Sequence, residues 1–175
     1  LFGKFILDNP EMVDGLAFTG STEVGTNILG KNFTIQARHG GARRFIAEMG
    51  GNNPCIVTPS ANLEDAGWGI AKSAFGANGQ KCSACGRVVV HQSVVDKLID
   101  SVVAAAQKMF VQGNPSHREV TLGPVINERA FLNYHQYIKD AHQPGVKITR
   151  VNIHHHHSLT LYPGYYVLPV IIENL

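Results

Sequence analysis

The sequence predicts an α/β fold, a mostly parallel sheet with flanking helices, and three observations carry that prediction. Short apolar runs at 16–19, 45–47, 55–57 and 88–91 have the length of buried strands. Longer segments between and after them place apolar residues at helical spacing. Glycine and proline punctuate the junctions. Strands that alternate with helices favour right-handed crossovers, and hence parallel pairing. The chain has 175 residues, 44% hydrophobic and 16% charged, which is enough for a globular core and far from a disordered composition. A net charge of +2 gives no reason to expect a nucleic-acid partner. No apolar run approaches the roughly 20 residues that span a bilayer, so no membrane partner is expected. The first residues lack the basic leader, long apolar stretch and cleavage site of a signal peptide. Three cysteines, an odd number, argue against a disulfide scaffold and for a reducing compartment. That predicts a cytoplasmic location, or the mitochondrial matrix in a eukaryote.

In chain order, residues 16–19 read as a strand bounded by Gly15 and Gly20, and Ser21 caps a helix over 22–31. Strand, Gly-Ser turn and helix start present backbone N–H groups to a phosphate. By itself such a turn is more often only a cap, and the dense glycine spacing of the dinucleotide fingerprint is absent. Residues 31–44 are polar and read as a loop or short helix followed by a turn, with Arg43 and Arg44 on a solvated rim and a phosphate contact the lesser reading. The strand 45–47 ends at Glu48, where Gly50 and Gly51 leave the carboxylate loosely supported and free to swing. A strand-end glutamate is commonly a surface residue, which is the competing reading. Cys55 lies in a short apolar strand and reads as a packed thiol. Asn62 caps a helix whose Leu63, Ala66, Ile70, Ala71, Ala74 and Phe75 share one face; Trp68 lies off it, as a half-exposed ring or a contact. Ser93 opens a second helix, with Leu98, Val102 and Ala106 among its apolar positions, stopped at Gly113-Asn-Pro. A third carries Phe131, Leu132, His135, Ile138 and Ala141, and strands at 146–153 and 165–172 close the chain.

Residues 75–87, FGANGQKCSACGR, join the first of these helices to the strand at 88. Cys82 sits in a glycine-rich loop beside Lys81, an open backbone with a local positive charge that suits a nucleophilic thiolate. Cys82 and Cys85 also make a C-x-x-C, the spacing of dithiol redox sites and of half a zinc site. Zinc would want a second pair, and a thioredoxin-like site would open a helix where here a strand follows. The four histidines at 154–157 read as a solvated loop able to bind Ni²⁺ or Zn²⁺ adventitiously, and no dedicated metal site is expected. Adjacent strand residues point to opposite faces, so four in a row cannot all ligate one ion.

GQKCSACGR at 79–87, EMGG at 48–51 and FTGS at 18–21 together resemble the aldehyde dehydrogenase superfamily. The GQKCSA form is most similar to its pyrroline-5-carboxylate (glutamate semialdehyde) branch. The resemblance implies part of the aldehyde dehydrogenase fold, with 1–47 from the dinucleotide-binding domain and 48–175 from the thiol-bearing catalytic domain. It implies NAD as cofactor, with NADP the alternative, bound by Gly20, Ser21, Val24 and Gly50. Cys82 would be the nucleophile and Glu48 the base for the hydrolytic water, with Lys81 and Ser83 beside the acidic substrate. The partners implied are a small aldehyde and further copies of the chain. The resemblance covers a central part of the family pattern. The upstream oxyanion-holding Asn, the ribose-binding Lys and a downstream EIFGPV-like segment have no counterpart here. The isolated chain is therefore expected to be incomplete and inactive, and a non-catalytic binding or oligomerisation module is the competing reading.

Overall fold

The structure, a computed structural model, describes residues 2–9, 12–30 and 44–174. The expected polar loop over 31–43, Arg43 included, lies outside the described residues. The chain divides into two compact units, Leu1–Gly51 and Asn52–Leu175.

The first unit opens with α1 (Phe2–Asp8), a helix that the sequence reading did not identify. Lys4 Nζ meets Asp8 Oδ2 at 2.7 Å one turn on, an exposed pair of the kind that adds little stability. β1 (Gly15–Thr19) and β2 (Arg44–Glu48) run parallel, from Gly15 opposite Arg44 to Thr19 opposite Glu48. α2 (Glu23–Gly30) follows β1 and is wound in the wider π form. Glycine is required inside it by close approach. A Cβ on Gly25 would lie 2.7 Å from Met49 Sδ and 3.0 Å from the Phe18 ring.

The second unit is built on a crossover. β3 (Asn53–Val57) and β4 (Cys85–Val90) are parallel neighbours joined through α3 (Leu63–Phe75). Asn62 caps α3 as expected, its Oδ1 accepting from the N–H groups of Glu64 (3.1 Å) and Asp65 (3.4 Å). α3 packs on α4 (Val95–Met109), and Gly67 permits the contact: a Cβ there would strike the Ser101 side chain. The predicted faces of both helices meet in the core, with Ile70 and Ala71 from α3 and Leu98, Val102 and Ala106 from α4. Trp68 stays 47% exposed, outside that core.

Beyond α4 the outcome departs from expectation. The helix ends at Met109 rather than at Gly113, because Phe110 turns extended (φ −111°, ψ 128°) and leads into β5 (Val111–Gln112). The histidine run is not a free loop. His154 and His155 form β7, paired parallel with β5, and His157 opens a short 3₁₀ helix, His157–Thr160, capped by His156. β6 (Lys147–Arg150) and β8 (Val170–Glu173) are the one antiparallel strand pair among the described residues, within the mostly parallel pairing expected. α5 (Glu128–Asp140) buries Ile138 and half-buries Phe131 and Tyr134, while Leu132 and His135 face outward. Its rotation is set by Tyr134, whose hydroxyl donates to Leu168 O at 2.7 Å.

Among the described residues the strands form four two-stranded sheets, three parallel and one antiparallel, with helices between them: an α/β arrangement. Ile46 on β2 and Ile56 on β3 remain 63% and 74% exposed. No helix among the described residues is long and apolar enough to cross a membrane.

Candidate active site

The thiol loop begins where α3 ends. Gly76–Gly79 makes a tight left-handed turn in which Ala77, Asn78 and Gly79 have φ of 52°, 54° and 69°. Left-handed backbone is costly for residues with a Cβ, and two side-chain contacts offset the strain. Asn78 Nδ2 donates to Gly123 O (3.0 Å), and Gln80 Oε1 accepts from the N–H of Ile126 (3.0 Å). The turn is thus moored to the LGPVIN segment, 122–127, which follows α4 in the chain.

Cys82 follows with its side chain exposed, between the equally exposed Lys81 and Ser83. Its backbone is fixed from β3. Asn53 Nδ2 donates to both Cys82 O (2.8 Å) and Ala84 O (3.0 Å), a clamp formed by a single amide. Beyond the loop, Ser73 Oγ accepts the Cys85 N–H at 3.1 Å, and the Arg87 guanidinium donates twice to Asn52 O (3.0 and 3.3 Å). An open thiol on a backbone held from both sides is the geometry that nucleophilic attack on a carbonyl requires. Sequence reasoning missed Asn53, Gln80, Asn78 and Ser73. The Asn-Asn pair after Gly50 and Gly51 was the one local signal, since these contacts otherwise bridge distant parts of the chain.

Cys85 has different surroundings. Its Sγ donates to Arg87 O at 3.3 Å, and burial, followed by the nearby Cys55 thiol, raises its pKa above that of an ordinary thiol. At a given pH it therefore holds less thiolate, the form that alkylates. Iodoacetamide near neutral pH is expected to label the exposed Cys82 before the half-buried Cys85, whose own labelling is expected to quicken as the pH rises. Peptide mapping checks this, and equal labelling or a ready 82–85 disulfide would contradict it.

In the first unit, Gly20 N–H donates to Glu48 O at 3.0 Å. The Gly-Ser turn and the exposed Glu48 therefore leave the same, carboxyl edge of the β1–β2 pair, where ligands of open α/β sheets collect. Ser21 Oγ accepts the Val24 N–H at 3.3 Å, so the expected cap is present. Gly20 and Ser21 are exposed, and Val24 is half-buried one turn on. A Cβ on Gly50 would find nothing nearer than Thr22 Oγ1 at 4.0 Å, which leaves its backbone open to an incoming group. These residues fit a dinucleotide phosphate: approachable backbone at a strand end and the N–H groups of a helix start. Glu48 and the turn belong to Leu1–Gly51 and Cys82 to Asn52–Leu175, and each set is described within its own unit.

Comparison with known proteins concerns the chain as a whole. The family model described as "Aldehyde dehydrogenase family" matches residues 1–175. A 1-pyrroline-5-carboxylate dehydrogenase 1 from Halalkalibacterium halodurans is 35% identical over 173 residues, 99% of this chain and 32% of that protein. Proline utilization A from Bdellovibrio bacteriovorus has a crystal structure that superposes with a TM-score of 0.77 at 31% identity, covering 97% of this chain and 17% of that one. Betaine aldehyde dehydrogenase from Staphylococcus aureus, crystallised with NAD⁺, gives a TM-score of 0.75 at 27% identity over 91% of this chain and 30% of that one. The chain spans less than a third of the length of the curated relatives it matches. The family match over the whole of residues 1–175, together with a curated relative 35% identical over 99% of it, shows that the chain belongs to the aldehyde dehydrogenase family.

Proposed function

We propose that this chain is the central segment of an NAD-dependent enzyme that oxidises glutamate semialdehyde to glutamate through Cys82. The observation that carries the reading is the exposed Cys82 thiol on a backbone clamped by Asn53. Names of relatives support the substrate: several at 35–38% identity are 1-pyrroline-5-carboxylate dehydrogenases, and 1-pyrroline-5-carboxylate is the cyclised imine of this semialdehyde.

The chemistry follows from what each residue offers. Cys82 as thiolate adds to the aldehyde carbon, forming the C–S bond and moving the carbonyl electrons onto oxygen. The Cys82 N–H is the candidate donor to that oxyanion. Gly20, Ser21, Val24 and Gly50 would hold NAD, which supplies the hydride acceptor when bound, with NADP the alternative. Once the carbon has lost hydride it is held on Cys82 as a thioester. Glu48 takes a proton from water, the water oxygen attacks, and the C–S bond breaks to release acid and thiolate. Lys81 and Ser83 offer a cation and a hydroxyl for the substrate carboxylate.

A side-chain oxyanion donor is expected from chain outside these 175 residues, and loss of one such donor typically costs about 10²–10³ in rate. The isolated chain is accordingly expected to form no NADH from glutamate semialdehyde and NAD⁺, whereas an enzyme of the relatives' full length carrying this segment does. NADH from the chain alone would overturn the need for further chain, and no turnover by the longer enzyme would overturn the reaction. A cytoplasmic or mitochondrial-matrix location and homo-oligomeric assembly belong to the same proposal.

A further inference from the structure

The histidine run acquires partners that its sequence does not show. His156 N–H donates to Gln112 O at 2.8 Å, and the N–H of Asn114 donates to Ser158 Oγ at 3.1 Å, so the loop after β5 is stitched to the segment after β7. Within that loop, the N–H of His117 donates to Asn114 O and the N–H of Val120 to His117 O, both at 3.1 Å, fixing a compact turn. The stitching brings the His117 and His156 rings to 4.7 Å between centroids. One ligand atom each from His117, Glu119 and His156 lie within 4.8 Å of one another. His154 and His155, in β7, contribute none of them.

We propose that His117, Glu119 and His156 form a binding site for one divalent transition-metal ion of the zinc class, pinning the 113–122 loop to the end of β7. Two imidazoles and a carboxylate are a donor set suited to zinc, with a fourth position left for water. Tetrahedral zinc with bonds of about 2.0–2.1 Å holds its donors roughly 3.4 Å apart, so movement of about 1 Å, chiefly by the exposed His117 and Glu119 side chains toward the half-buried His156, closes the triad. The second shell is present as well. His156 Nδ1 lies 2.7 Å from the hydroxyl of buried Ser158. The same Nδ1 accepts the Ser158 N–H at 3.2 Å in the cap, so an ion held through Nε2 selects the tautomer whose Nδ1–H donates to the hydroxyl and releases that N–H. This differs from the expected adventitious chelation, because a single histidine of the run takes part and the other two ligands come from a loop some forty residues earlier.

The test is calorimetric titration of ZnCl₂ into the 175-residue chain, with Cys82 first blocked by iodoacetamide so that thiol binding does not contribute. One ion per chain is expected. His117→Ala and Glu119→Gln, both exposed positions, are each expected to weaken binding by more than the roughly 10–100-fold that loss of an outer-shell partner costs. The double variant His154→Ala/His155→Ala is expected to bind as the parent does. Zinc should raise the Tm of the parent and of the double variant and leave that of H117A unchanged. Absence of saturable binding, unaltered affinity in H117A, or equal loss in the double variant would each overturn the site.

Discussion

Replacing Cys82 with serine is expected to lower kcat for aldehyde-dependent NADH formation by roughly 10⁴–10⁶-fold, in an enzyme of the relatives' full length that carries this segment. A serine hydroxyl ionises far less readily than a thiol and is a much weaker nucleophile, and without the covalent adduct there is no tetrahedral carbon from which hydride can leave. The variant preserves the fold, because the Asn53 clamp holds the backbone carbonyls of Cys82 and Ala84 and leaves the side chain untouched. Stopped-flow absorbance with glutamate semialdehyde makes the measurement. Residual turnover within tenfold of the parent would remove Cys82 from the chemistry.

The largest effect on stability is expected at Leu122. It is 1% exposed, among the core formed by α3 and α4, and its N–H donates to Val111 O at 3.1 Å. Leu122→Ala is expected to cost about 2–5 kcal/mol, since a cavity there is walled by two packed helices that cannot collapse into it. At about 2–4 °C per kcal/mol, the fall in Tm is of order 10 °C, read by circular dichroism. The position matters for the site too. Gly123 and Ile126, which moor Asn78 and Gln80, lie one and four residues beyond it. Loosening Leu122 therefore loosens the thiol turn, and faster loss of Cys82 selectivity in alkylation is expected to accompany the thermal change. A variant with the parent's Tm would place the core elsewhere.

What the sequence discloses and what it hides separate along a physical line. Local periodicity exposed the inner faces of α3 and α4, because each repeats apolar residues every third or fourth position. Capping chemistry was equally local: Asn62 and Ser21 act within three residues of themselves. The glycine-rich surroundings of Cys82 and the strand end at Glu48 were legible for the same reason. Contacts that join distant stretches left no such mark. Asn53 reaches Cys82 across 29 positions and Gln80 reaches Ile126 across 46. The antiparallel β6–β8 pair and the meeting of His156 with His117 belong to the same class. α5 shows the intermediate case. Its pattern allowed a face through Leu132 and His135, and one long-range hydroxyl contact, from Tyr134 to Leu168, turned the helix otherwise. α1 went unread because seven residues hold too few turns for a period to declare itself.

The outward-facing Ile46 and Ile56 carry an implication for how such a polypeptide matures. Each stands on a ribbon of two strands whose outer backbone amides, among the described residues, have no ladder to join. A nascent chain emerging with these ribbons uncovered is adhesive toward its neighbours until additional strands arrive to flank them. Synthesis order and chaperone occupancy then decide whether the ribbons are finished by their own polypeptide or by a stranger's.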